Sequence, residues 1–428
     1  MPESFLSYLW QLQYFDKQQL LTTAGEPLHI FNQGMLNTHA GPDFSNARIR
    51  IGSIEWVGSV EIHDRASAWH EHKHDQDAAY NNVVLHVVWS NDKSVRRSDG
   101  SELPTIELKD RVNEQLLLQY KKLVNSPEVI PCSGIFRHVS DLTRMSMLDR
   151  TLAQRLEAKA DVVHTMLAQN NHDWEETCYQ LLAKNFGFKI NADPFLQLAR
   201  AVPYKSLLKH ADKSLQLEAL LFGQAGFLDD AHTDDYYLAL KREYALLSHK
   251  YQLRERKLHK AQWRFLRLRP ANFPTLRIAQ FSAILFCQKN IFSAIVEADS
   301  YAALNTLFSV TQSPYWQSHY QFSTPAEQSI PALGSMSIDN IIINTVAPLL
   351  VAYGKLKDEQ RWIDRAVAIL QEVAAEDNSI TKKWSSLGQP VKTAFDSQAL
   401  IELYNNLCIK KRCLSCVIGS SILKPHYA

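Results

Sequence analysis

Gly41-Pro42-Asp43-Phe44, then Val60-Glu61-Ile62-His63, then Asn82-Val83-Val84-Leu85-His86-Val87-Val88-Trp89: these phrases lie within one stretch, and their reading decides the fold. The runs Ala47 to Ile51, Ile54 to Ile62 and Asn82 to Trp89 have the apolar, β-branched character of strands. Ahead of them Phe5, Leu9, Leu12 and Phe15 recur at helical spacing. After them Leu103 to Leu108 suits an edge strand and Arg111 to Val124, with Val112, Leu116, Leu117 and Leu118, suits a helix. Such alternation of helix and strand predicts a mixed α/β layer domain.

Beyond Cys132 the pattern becomes one amphipathic helix after another, from Asp141 to Ala168 through to Asp396 to Cys408. Breakers such as Phe186-Gly187-Phe188, Arg269-Pro270 and Leu387-Gly388-Gln389-Pro390 mark the connections. The helices share no fixed sequence period, so the pattern gives a solenoid no support. The expected organisation is an α/β domain over 1–130 and a mostly α-helical domain over 131–428, the latter ending in a cysteine cluster.

Composition places the chain among ordinary globular proteins. Its 428 residues are 46% hydrophobic and 21% charged, enough to bury full cores in two or three domains. With 46 Lys+Arg against 45 Asp+Glu the net charge is +1, so a polyanion partner would need a local basic patch. No basic segment precedes an apolar core at the N-terminus, and no run of about 18 uncharged apolar residues suggests a membrane span. The expectation is a cytoplasmic protein without a membrane partner. Six cysteines are too few for a disulfide scaffold.

Hydrolysis of a phosphodiester needs a hard cation held by oxygen ligands and a water polarised beside it. Asp43 follows a Gly-Pro turn that lets its side chain project from a strand start. Glu61 and His63 share one strand face because side chains alternate, while Ile62 points to the core and offers its carbonyl between them. The expected ion is Mg²⁺ or Mn²⁺ on Asp43 and Glu61, with His63 positioning the water.

Pro42-Asp43 and Glu61-Ile62-His63 resemble the signature of the PD-(D/E)XK nuclease superfamily, whose core is α-β-β-β-α-β. Gln76-Asp77-Ala78-Ala79-Tyr80 is similar to the glutamine-to-tyrosine motif of its RecB-like branch, which implies a site role for Tyr80. The chain departs from the superfamily at His63, where lysine is usual, so it lacks a permanent cation beside the water. The whole chain also resembles an uncharacterised bacterial family of unknown function. The matching phrases are Ala40 to Phe44, Gly58 to His63, Trp69 to His74, Tyr80 to Val88, Arg269 to Pro274 and Arg412 to Cys416.

Three further groupings carry chemistry. His63, His70, His72, His74 and His86, with Asp64, Asp75 or Asp77, could build a zinc hydrolase site, or His70 and His72 could be polar loop residues; His86 supports Glu61 and His63 if it shares their side of the sheet and is otherwise a satisfied core histidine. Trp263, Arg264, Arg267, Arg269 and Arg277 interleave aromatic and guanidinium groups in the manner of a nucleic-acid surface, or of an ordinary helix corner. Cys408, Cys413 and Cys416 offer three soft ligands for zinc or an iron–sulfur cluster, with Cys132 or His426 as the fourth, unless they are packing residues. The leading expectation is a metal-dependent nuclease-like protein that cleaves or binds nucleic acid. The alternatives are a non-catalytic binding scaffold and the zinc hydrolase.

Overall fold

In a computed structural model that describes residues 1–424, the chain forms two compact units, 1–147 with 403–424 and 148–402. The sequence reading divides the chain after residue 130 and assigns the C-terminal cysteines to the helical part. In the structure the chain returns after residue 402, and those cysteines belong to the unit that carries the sheet.

The first unit opens with α1 (Glu3–Leu12), whose Phe5, Leu6, Leu9 and Trp10 are buried. A mixed sheet follows, made of β1 (Leu28–Asn32), β2 (Met35–Leu36), β3 (Phe44–Ile51), β4 (Ile54–Arg65), β5 (Val83–Ser90) and β6 (Thr105–Glu107). Its order is β1-β3-β4-β5-β6, with β2 also on β3. Helix α2 (Ala68–Glu71) lies between β4 and β5, and α3 (Glu114–Val124) follows β6. Strands β1 and β2 lie outside the sequence expectation. Most of their side chains are exposed, so they lack the apolar alternation that identifies a half-buried strand.

Two features of this sheet place the site. β3 and β4 pair antiparallel with an irregularity between Phe44 and Ala47, where Asn46 takes a left-handed conformation at φ 58°. A bulge of this kind bends a strand and re-aims its neighbours, here at the end that carries Asp43. β4 and β5 pair parallel, with Glu61 opposite His86. Parallel neighbours cannot be joined by a tight turn; the chain must cross over one face of the sheet before it returns. That crossover contains α2 and the histidine-rich segment. Trp69, 1% exposed, anchors it in a cluster with Ala66, Val83, Val88, Val95 and Leu103, against which Tyr80 also packs.

The second unit is mostly helical, as the amphipathic pattern predicts, with one antiparallel strand pair, His319–Gln321 and Thr324–Pro325. Its core includes Phe186, Phe195, Phe222, Phe281 and Trp316. A polar network runs through it: Arg155 and Lys159 donate to Gln398, Lys159 also reaches Asn344, and Asn185 donates to the Asn344 carbonyl and to Thr345. One helix, Ser335–Lys357, is long and apolar enough to cross a membrane, and 67% of its most apolar window is buried in the structure.

At Gly58 the chain of β4 comes close to the start of β5. A Cβ there would lie 2.6 Å from the Asn82 carbonyl oxygen and 2.5 Å from Val84 Cγ1. The backbone oxygen cannot rotate away, so Gly58→Ala must push the two strands apart. We expect it to lower unfolding free energy by about 1–3 kcal/mol in denaturant titration. An unchanged midpoint would show that this close approach is not tight.

Candidate metal centre

Asp43 and Glu61 are cross-tied. The Asp43 amide donates to Glu61 Oε2 at 3.1 Å, and the Ile62 amide donates to Asp43 Oδ2 at 3.0 Å. Ile62 side chain is in the core, as expected, but it is its amide that meets Asp43. One Glu61 oxygen is therefore fixed by the neighbouring strand, and the other, Oε1, faces histidines. It lies 3.4 Å from His74 Nε2 and 3.7 Å from His63 Nε2.

His63 is 1% exposed and both of its ring nitrogens are engaged. Nδ1 is 2.8 Å from His86 Nε2, and Nε2 is 3.2 Å from His72 Nδ1. His72 and His74 reach the same point because Lys73 between them is left-handed, with φ 60°. That reversal brings two residues of a short loop back onto the face that β4 presents. Among the described residues, His63, His72 and His74 form the group whose ligand atoms all lie within 4.8 Å of one another. His70 turns away and pairs with Asp75 at 3.5 Å. Tyr80 stacks on His74 with ring centroids 3.8 Å apart, although the Gln76 to Tyr80 segment is 3₁₀ turns.

The contacts of His63 with His72 and of Glu61 with His74 and His63 come within the range of one ion's ligand shell, while the group whose atoms all lie within 4.8 Å of one another is, among the described residues, the histidine trio alone. Four atoms held about 2.1 Å from a tetrahedral ion lie about 3.4 Å from each other, and the separations here are 3.2, 3.4 and 3.7 Å. The electrostatics agree. Burial lowers the His63 pKa to about 2, reinforced by His86, His74 and His72, and lowers that of His86 to about 3 and of His74 as well. Neutral imidazole is the form that binds metal. Burial also raises Asp43 to about 6, and raises Glu61 to about 8 with the Asp43 charge adding to it. A divalent ion here would favour the ionised form of buried Glu61 and of half-buried Asp43, both of which burial pushes toward protonation. For His63 to offer its Nε2 lone pair, Nδ1 must carry the proton and donate it to His86 Nε2. His86 is thereby the residue that fixes the tautomer.

The remaining expected residues are dispersed. Trp263 is 4% exposed, donates Nε1–H to the Ala225 carbonyl and packs on Phe195 and Phe227. Arg277 is 6% exposed and bonds Gln280, Asn272 and Ser337. Both are interior residues of the second unit, so burial removes them from the expected nucleic-acid surface. Arg264, Arg267 and Arg269 are exposed. Cys132, Cys408, Cys413 and Cys416 gather around one cavity in the first unit, whereas His426 lies outside the described residues. Sequence reading missed Glu3, whose charge bears on both Asp43 and Glu61. No spacing rule connects the first turn of α1 with a strand some forty residues on.

Titration of the metal-free chain with Mn²⁺, which thiol ligands bind poorly, should show one site. Glu61→Gln and His72→Ala should each weaken it by about 10–100-fold, while His70→Ala leaves it unchanged. Equal losses for His70→Ala and His72→Ala would contradict the assignment.

No curated protein and no solved structure matches this chain. Residues 3–379 match a family model whose description is a protein of unknown function, DUF2851, and the chain belongs to that family.

Proposed function

We propose that the first unit is a metal-dependent hydrolase of phosphodiesters, its ion held by His63, His72, His74 and Glu61, with Asp43 beside them. The observation that carries this reading is the meeting, within 4.8 Å, of three imidazoles from β4 and its crossover, with the buried Glu61 carboxylate 3.7 and 3.4 Å from His63 and His74. The substrate class rests on the resemblance of Pro42-Asp43 and Glu61-Ile62-His63 to a nuclease signature. The sequence of α1, an antiparallel strand pair, a crossover and a parallel strand supports it.

The donor set refines the ion. Mg²⁺ prefers oxygen ligands and keeps much of its water, whereas three imidazoles suit Mn²⁺, Zn²⁺ or Fe²⁺. When bound, such an ion polarises a phosphoryl oxygen and lowers the pKa of water beside it. The residues do the rest. His86 holds the His63 tautomer, and the Asp43 amide holds Glu61 in place. His72, the exposed member, marks the side open to substrate. Asp43 is half-buried and adjacent to Glu61, where it can orient the attacking water and receive its proton. In this role it replaces His63, whose ring is buried with both nitrogens occupied. Tyr80, raised to about 12 mainly by burial, stays a hydroxyl donor and can hydrogen-bond a phosphoryl or leaving-group oxygen. The exposed Arg264, Arg267 and Arg269 suit contacts with a nucleic-acid backbone.

The test uses the full chain with Mn²⁺ or Zn²⁺ on bis(4-nitrophenyl) phosphate and on single-stranded and duplex DNA and RNA. Wild type should cleave at least one of them. Glu61→Gln and His72→Ala should lose roughly 10²-fold or more, and Asp43→Asn should lose rate while retaining the ion. Undiminished cleavage by Glu61→Gln would place the activity elsewhere. A wild-type chain that binds the ion and cleaves none of these substrates would reject phosphodiester hydrolysis and leave a metal-stabilised binding module.

A further inference from the structure

Cys132 and the last cysteines are separated by most of the chain, yet they line one cavity. Its walls are Pro131, Cys132, Leu407, Cys408, Arg412, Cys413, Cys416 and Gly419, and the enclosed space is small, about 20 Å³. The four side chains are buried, with exposures of 7–8%. None is in a disulfide. Four of its eight lining residues are cysteines, brought together from two distant parts of the sequence.

The local backbone is shaped to present them. A π-helical turn, Leu403–Cys408, ends on Cys408, and Lys411 turns the chain in a left-handed conformation, φ 50°. Cys413 opens a 3₁₀ turn and Cys416 caps the final helix, Val417–Leu423. Gly419 lets that helix close on the turn, since a Cβ there would lie 2.1 Å from the Cys413 carbonyl oxygen. The segment is also tied down independently of its thiols. Lys411 donates to the Val124 and Ser126 carbonyls, both at 2.9 Å, and Tyr8 Oη is 3.1 Å from Ser420 Oγ.

We infer that Cys132, Cys408, Cys413 and Cys416 ligate an iron–sulfur cluster that fastens the returning C-terminal segment to the sheet-bearing unit. Spacing decides against a single zinc ion. Zinc at about 2.3 Å from four sulfurs draws them to about 3.8 Å apart. Among the described residues the ligand group that meets a 4.8 Å limit is the histidine trio, and these sulfurs are not in it. A cluster spans wider separations because each cysteine binds a different corner or edge of the iron–sulfide core. Charge agrees with this choice. Four thiolates leave such a cluster anionic, and Arg412 lines the cavity while Lys411 bears on Cys413.

The test is anaerobic purification of the full chain, followed by anaerobic reconstitution with Fe²⁺ and sulfide if iron is low. We expect iron and acid-labile sulfide in equal amounts and a broad visible absorption bleached by dithionite. Cys132→Ser and Cys413→Ser should each lose most of the iron, and Cys287→Ser, at an exposed site, should keep it. Should the ligand variants fail to fold, the wild-type iron, sulfide and absorption still decide the matter. Zinc without sulfide, no iron after reconstitution, or a full cluster in Cys132→Ser would each overturn the inference.

Discussion

Parallel pairing of β4 with β5 is the constraint on which the rest of the site depends. It forbids a hairpin between them and forces the connection across one face of the sheet. Trp69 pins that connection in the apolar cluster, and the loop beyond it carries His72 and His74 to Glu61 and His63. The same pairing sets His86 opposite Glu61, within reach of His63 Nδ1. One choice of strand direction thus brings together a carboxylate, three candidate ligand imidazoles and the imidazole that orients one of them.

The electrostatic cost of this assembly is large, which is why it reads as a site and not as packing. Asp43 and Glu61 are drawn into low dielectric close to each other, and both are pushed toward protonation. A fold selected only for stability would place an apolar side chain at Glu61, as it does on the opposite face of β4, where Val60 and Ile62 are buried. Hydrogen bonds from the Asp43 and Ile62 amides hold the carboxylates where they are and recover part of the cost. A divalent ion would neutralise the remainder.

Much of this was legible in the sequence, for reasons that also explain the failures. Period-two alternation put Glu61 and His63 on one face, and the Gly-Pro turn with Gly41 at φ 106° set Asp43 at a strand start. The division of labour among the histidines was not legible. It depends on Lys73 in a left-handed turn and on Trp69 packing beneath the loop, and neither leaves a periodic trace. Trp263 and Arg277 misled because aromatic and guanidinium groups interleave equally in a nucleic-acid surface and in a core where an arginine is hydrogen-bonded on several sides. Cys132 could be named as a partner of the C-terminal cysteines, but their meeting is a consequence of the chain's return to the first unit.

The central claim is that one metal ion sits among His63, His72, His74 and Glu61. The direct measurement is a crystal structure of the full chain grown with Mn²⁺ or Zn²⁺, with anomalous difference density collected at the metal's absorption edge. The account predicts a peak about 2.0–2.2 Å from His63 Nε2, His72 Nδ1, His74 Nε2 and Glu61 Oε1. Density absent from that point, with the ion bound elsewhere in the first unit or not at all, would contradict it.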